Sequence, residues 1–207
     1  MAVSKKMSID AIKAAIACGQ RDFGENYITE GVEKIEALKT ERAKFGLQWH
    51  CIGSVQSNKT RWVAQHFDWV HTLDRMKIAE RLNDQRPADA APLQVCIQVN
   101  IDGSSTKSGV QLDEVLALAE GISKLPNLQL RGVMAIPDIL LDNSLNATNN
   151  IAIQAIYTPA TIIFTQLKAI YQSVDTLSIG MSADLEPAIM AGSTMVRVGS
   201  AIFGARS

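Results

Sequence analysis

The sequence lacks most of the features that would tie it to a metal, a membrane or a nucleic acid. It has only three cysteines, Cys18, Cys51 and Cys96, which lie far apart in apolar contexts. No CxxC pair occurs, so no metal or redox motif is expected and buried, reduced thiols are. No apolar run is long enough to cross a bilayer, and no secretory leader opens the chain. Charge of one sign does not accumulate: the net charge is -1 and no long acidic or basic run is present, so a nucleic-acid surface is not expected. These absences fit a reducing cytoplasm, with neither membrane nor nucleic acid as partner. Under that reading Asn146-Ala147-Thr148 matches a glycosylation sequon by chance. No GxGxxG follows a strand-like run, and no Pro/Gly-rich linker or change of composition divides the 207 residues. A single domain spanning 1–207 is the expected organisation.

What is present is enough for a substantial core. Hydrophobic residues make up 47% of the chain and charged residues 20%, the balance of a globular protein. Strand-like runs near 2–5, 21–26, 47–54, 68–73, 93–101, 128–136, 175–182 and 194–201 alternate with helical patterns. Ser8 is placed to cap a helix with the stripe Ile9, Ile12, Ile16 and a stop at Gly19. Val32, Ile35 and Leu38 form a second stripe, Trp62, Val63, His66 and Phe67 a third, and Met76, Ala79 and Leu82 a fourth. Val115, Leu118, Ala119, Ile122 and Leu125 form the clearest one. Residues 151–171 are also helical, 138–150 read as a polar loop, and a short helix near 185–191 ends at Gly192. Strands joined by right-handed helical crossovers form parallel sheets, and eight such strands close into a (β/α)₈ barrel of TIM type. A doubly wound open sheet is the alternative. One outer helix is missing between strand eight and strand one, so the chain reads as short at its N-terminus by about one helix and part of a strand.

Alternation along the strands assigns their faces. Leu177, Ile179 and Met181 oppose Ser178, Gly180 and Ser182; Val196 and Val198 oppose Met195, Arg197 and Gly199; Val95, Ile97 and Val99 oppose Cys96, Gln98 and Asn100. Branched residues belong against the helices, which turns the polar and small set inward. Lys5 shares a face with Val3 and Lys6 does not, so Lys5 is the inward lysine.

In a closed barrel the first and last strands are neighbours, which brings Lys5 and Arg197 together. A lysine amine beside an arginine is the pair that pyridoxal phosphate chemistry uses, one for a Schiff base and one for the pyridine nitrogen. Phosphates in such barrels sit in the loops after strands seven and eight, here Gly180-Met181-Ser182-Ala183-Asp184 and Arg197-Val198-Gly199-Ser200. Small residues there let backbone N–H groups approach phosphate oxygens. Each signal alone has a plainer reading. A strand-end lysine is usually a solvated charge, a strand arginine an ion-pair partner, and His50 after Trp49 a structural histidine.

Taken together, the motifs are specific. Ala2-Val3-Ser4-Lys5, Phe23-Gly24-Glu25-Asn26-Tyr27, Trp49-His50-Cys51-Ile52-Gly53 with Gln56-Ser57-Asn58-Lys59, and Val99-Asn100-Ile101 with Lys107-Ser108-Gly109 occur in order. Arg131-Gly132-Val133-Met134-Ala135-Ile136-Pro137, Leu177-Ser178-Ile179-Gly180-Met181-Ser182 and Gly192-Ser193-Thr194-Met195-Val196-Arg197-Val198-Gly199 follow. Over nearly its whole length the chain resembles the pyridoxal phosphate homeostasis proteins (the YggS/PROSC family), which are alanine racemase N-terminal-domain-like. The resemblance implies a fold-type III barrel that binds pyridoxal 5'-phosphate. It implies that Lys5 forms the internal aldimine and that Arg197 lies near the pyridine nitrogen. Ser182, Gly199 and Ser200 would hold the phosphate, with Asn26, Met134 and Ser178 lining the ring pocket. Family members carry a helix before the Ala-Val-Ser-Lys strand that this chain does not show.

The resemblance implies a mostly monomeric, non-catalytic carrier, which the absences above would place in the cytoplasm. It would buffer the cofactor or deliver it to apoenzymes. The competing class is an alanine-racemase-like enzyme on the same barrel. Racemisation needs a second acid–base group on the opposite substrate face, a tyrosine from an additional domain in those enzymes. The chain has only Tyr27, Tyr157 and Tyr171 and reaches Ser207 just after strand eight, which favours the carrier. A cofactor-free Schiff-base aldolase would use Lys5 but leave Arg197 without a role.

Overall fold

The computed structural model describes residues 1–103, 108–137 and 154–204. The expected polar loop 138–150, with its sequon, and Lys107 lie outside them. Seven parallel strands stand side by side in chain order: β1 (Ala2–Val3), β2 (Asp22–Glu25), β3 (Gln48–Cys51), β4 (Trp69–Leu73), β5 (Leu93–Gln98), β6 (Leu128–Met134) and β7 (Thr176–Ser178). Strict chain order in a parallel sheet requires every crossover to have the same hand, which is how a β/α barrel curls.

Segment 194–198 closes the barrel, though not as the regular strand expected there. It makes isolated parallel bridges, Ala2 with Val198 and Met181 with Arg197. Val3 donates its N–H to Val198 O at 2.8 Å, Val198 to Met1 O at 3.1 Å, and Arg197 to Gly180 O at 3.0 Å. The ladder stops because the chain turns into helix at Ser200. Its hydrogen bonds to both edges still make β1 and the arginine segment neighbours.

The helices lie between the strands. They are α1 (Ile9–Ala17), α2 (Ile28–Ala37), α3 (Lys39–Phe45), α4 (Thr60–His66), α5 (Met76–Gln85), α6 (Val115–Ser123), α7 (Thr158–Ile170), α8 (Leu185–Met190) and α9 (Ser200–Phe203). Ser8 caps α1, its hydroxyl accepting from Ala11 N at 3.2 Å, and Ile12 and Ile16 are the buried stripe. The second crossover holds two helices where one was expected. Leu38 is the C-cap of α2 and is fully buried, and α3 beyond it buries no residue.

The two faces of the sheet are filled differently. Val95, Ile97, Leu177 and Ile179 join the main core against the helices. Inside the barrel, Trp69, Cys96 and Met134 form a separate apolar cluster, beside buried His50, His71, Ser178 and Arg197. Alternation places the inward set on the side expected of it.

Candidate cofactor site

At the C-terminal ends of the strands a cavity of about 310 Å³ opens where β1 meets segment 194–198. That is near the lower end of the roughly 300–1,000 Å³ usual for small-molecule sites. Lys5 and Arg197 both line it, as do Asn26, Ser182, Gly199 and Ser200. Val3, Ile52, Ile136, Met181 and Ala183 supply the apolar wall. The described lining residues therefore carry two cations and no carboxylate.

Lys5 is not on β1 itself, which ends at Val3. It sits in the turn that follows, where Ser4 N still donates to Gly24 O at 3.0 Å and Met7 N returns to Ser4 O at 3.0 Å. The turn is sharp enough to put Lys6 at φ 62, in the left-handed region. Lys6 is exposed and faces another groove, while half-buried Lys5 faces the cavity. Behind the turn lies a buried charge cluster. Lys34 Nζ on α2 donates to Ser4 O at 2.6 Å, to Glu25 Oε1 at 2.9 Å and to Glu30 Oε1 at 2.6 Å. Ser4 Oγ also donates to Glu25 Oε1 at 2.6 Å. Burial raises the Glu25 carboxyl above its ordinary value, against the opposing pull of Ser4 and Lys34.

Arg197 is 4% exposed. Its Nη1 donates to Ser178 O at 2.6 Å and Ser178 Oγ at 2.9 Å, and Nη2 to Ala135 O at 3.0 Å. These bonds leave Nε outside them and make no ion pair. Burial lowers the guanidinium from its usual value, while Tyr157, Asp184 and Cys96 pull it back up.

The loop after β7 is held from behind. Asp184 accepts from Met181 N at 2.7 Å and from the Tyr157 hydroxyl. Gly180 starts the loop at φ +91, and a Cβ there would lie 2.5 Å from the Ala188 Cβ, so glycine is required on both counts. On the other wall, Gly53 passes so close to the Asn26 backbone that a Cβ would lie 1.9 Å from the Asn26 carbonyl oxygen.

Two residues expected in the ring pocket stand elsewhere. Ser178 and Met134 are both fully buried and neither lines the cavity. Ser178 is a partner of Arg197, and Met134 packs with Trp69 and Cys96. The physical reason is depth: both belong to strands proper, one layer below the loops that form the mouth. Sequence reasoning missed His71, which shares β4 with Trp69 and lies between His50 and Ser178. Its inward parity with Trp69 was the signal available.

This parallel barrel, with a lysine and a buried arginine meeting where β1 joins segment 194–198, matches the family model of the alanine racemase N-terminal domain over residues 1–207. A pyridoxal phosphate homeostasis protein of Escherichia coli K12 is 53% identical over 206 residues, covering 100% of this chain and 85% of that one. Its counterpart in Vibrio cholerae is 52% identical over 206 residues, covering 100% and 84%. Among solved structures, PipY of Synechococcus elongatus PCC7942 with PLP bound superposes with a TM-score of 0.84 at 33% identity, over 99% of this chain and 91% of that one. The chain belongs to the pyridoxal phosphate homeostasis protein family.

Proposed function

We propose that this protein binds pyridoxal 5'-phosphate in the 310 Å³ cavity and serves cofactor homeostasis as a non-catalytic carrier. The observation that carries the reading is the convergence of Lys5 and Arg197 on one cavity whose described lining has no acidic residue. The lining fits such a group chemically. The hydroxyls of exposed Ser182 and Ser200 suit a phosphate at the mouth, while Lys5 and Arg197 leave the described lining with positive charge and no carboxylate to oppose an anion. Asn26 Oδ1 is buried at the wall without a partner and could accept from a ring hydroxyl. When bound, pyridoxal phosphate supplies an aldehyde carbon that condenses with a primary amine. Lys5 Nζ is the amine we assign, with Arg197 at the pyridine nitrogen. Ser182, Gly199 and Ser200 take the phosphate, Asn26 the ring edge, and Ser178 acts through Arg197.

The non-catalytic reading is supported by the tyrosines. Tyr157 is buried and bonded to Asp184, Tyr27 is exposed, and none of the three lines the cavity. We read residues 1–207 as one domain, on the strength of a core that spans the strands. We read the protein as a monomer that exchanges cofactor with apoenzymes in the cytoplasm; the unpaired state of all three thiols suits that reducing compartment. Among the described residues no helix is long and apolar enough to cross a membrane.

The test is borohydride reduction of cofactor-loaded protein followed by peptide mapping, with chiral analysis of alanine incubated with the same preparation. Label on Lys5 and unchanged alanine are expected. Label on Lys6, or none on saturated protein, overturns the site. Turnover near 1 per second or faster that vanishes in Lys5→Ala overturns the carrier reading and puts the racemase-like one first.

A further inference from the structure

The barrel interior holds a row of polar side chains that the cavity wall does not use. It begins at Asp22, the first residue of β2, whose side chain is 44% exposed at the N-terminal mouth of the barrel. Asp22 Oδ1 lies 3.1 Å from His50 Nε2. His50 Nδ1 lies 3.0 Å from His71 Nε2, and His71 Nδ1 lies 3.0 Å from Ser178 Oγ. Ser178 Oγ accepts from Arg197 Nη1 at 2.9 Å. His50, His71 and Ser178 have no exposed surface. The row therefore runs unbroken from solvent at one end of the barrel to the cavity at the other.

Its ends fix its direction. A carboxylate only accepts and a guanidinium only donates. His50 must present Nε2–H to Asp22, so in a neutral ring Nδ1 is a lone pair. His71 must then present Nε2–H to His50, which makes its own Nδ1 a lone pair. The Ser178 hydroxyl proton satisfies that lone pair and leaves the Ser178 oxygen facing Arg197 as an acceptor. Every donor points toward Asp22.

One extra proton on His50 reverses the middle of the row. His50 Nδ1–H would donate to His71 Nε2, His71 would carry its proton on Nδ1, and Ser178 Oγ would receive two donors with its own proton displaced. Both rings cannot be cations, because two N–H groups would then meet at 3.0 Å. His50 faces Asp22, His71 and the stacked Trp69, with the Met1 amine and Asp68 acting at longer range. His71 faces His50, Trp69, Ser178 and Arg197. Burial lowers both histidines, helped at His71 by the charges of His50 and Arg197, and keeps the pair neutral.

We propose that Asp22, His50, His71 and Ser178 form a one-way hydrogen-bond chain in which Asp22 is a positioning residue for Arg197. It acts from the opposite end of the barrel by fixing the tautomers of both histidines. Chains of this kind reinforce one another link by link, so loss of the terminal acceptor is felt along the row. The assignment to a cofactor rests on Arg197 having the role proposed above; the chain itself does not.

The experiment is a long-range ¹⁵N–¹H spectrum of the full chain without cofactor, at pH 8. Wild type is expected to show both histidines neutral, with the proton on Nε2. Asp22→Asn keeps a carbonyl acceptor and should keep both tautomers. Asp22→Ala should give mixed tautomers at His50 and also at His71, which Asp22 does not touch. Nδ1–H on His71 in wild type, or an unchanged His71 in Asp22→Ala, overturns the proposal. Should Asp22→Ala not fold, Ser178→Ala reads the row from its other end. There His71 keeps Nε2–H if Asp22 sets the direction, and a switch to Nδ1–H overturns it. With pyridoxal phosphate added, Asp22→Asn should keep the wild-type absorption band. Wild-type tautomers without cofactor uptake count against the cofactor reading alone. Normal uptake with wrong tautomers counts against the chain alone.

Discussion

Lys34 Nζ and the Ser4 carbonyl oxygen are 2.6 Å apart, one residue before Lys5. The lysine that faces the cavity is thus held by a second lysine, itself buried against Glu25. Breaking a buried ion pair by removing one partner typically costs about 3–5 kcal/mol, because the other charge is left uncompensated. Lys34→Met should lose stability in that range at pH 7. The loss should shrink as the pH falls, since Glu25, already raised by burial, then takes up a proton in the folded state. Urea unfolding at pH 7.5 and 5.5 checks both statements. A variant as stable as wild type at pH 7.5 would show that Glu25 is not charged there.

Ser200 lies exposed at the cavity mouth. Ser200→Glu places a negative charge where the phosphate is assigned. Affinity for pyridoxal phosphate should fall by at least about tenfold, or ~1.4 kcal/mol, while affinity for pyridoxal changes little. Titrations followed by absorbance separate the two. Equal weakening of both ligands would mean that these loops do not read phosphate.

The thiols should divide sharply. Cys51 and Cys96 are fully buried, and burial pushes both up to about 12. Cys18 is exposed. A chromogenic disulfide reagent at pH 8 should react with one thiol in native protein and with all three in denaturant. Fast reaction of a second thiol in the native state contradicts this.

The two interior histidines make stability depend on pH. Their folded values lie below the unfolded value of about 6.5, so the unfolded chain takes up protons first as pH falls. Each should remove at most ~1.4 kcal/mol per pH unit below about 6.5, until its folded value is reached. Asp22, lowered chiefly by its bond with His50, adds a loss at more acid pH, while Glu25 opposes the trend. Thermal melts between pH 7.5 and 5 should show a declining Tm, and a profile no steeper in wild type than in a His50→Gln, His71→Gln variant would mean that the two rings titrate in the folded protein as they do unfolded.

The sequence by itself determined the strand order, the faces and the pairing of chain ends. Those follow from local rules. Alternation with period two puts Ile97 and Leu177 outward and Ser178 inward, and repeated βα units leave a closed barrel as the compact solution. The choice of Lys5 over Lys6 was legible for the same reason, although the lysine lies in the turn beyond β1. Only the tertiary structure decided depth. Met134 and Ser178 differ from Ser182 and Ser200 by height along the barrel axis, and sequence spacing carries no such coordinate once strands differ in length and register. It also decided that the last strand would be two bridges, because a neighbouring edge and an adjoining helix compete for the same residues. The row from Asp22 to Arg197 draws one residue from each of five separated segments. Nothing local joins them; barrel closure puts their donors and acceptors about 3 Å apart, within hydrogen-bond reach.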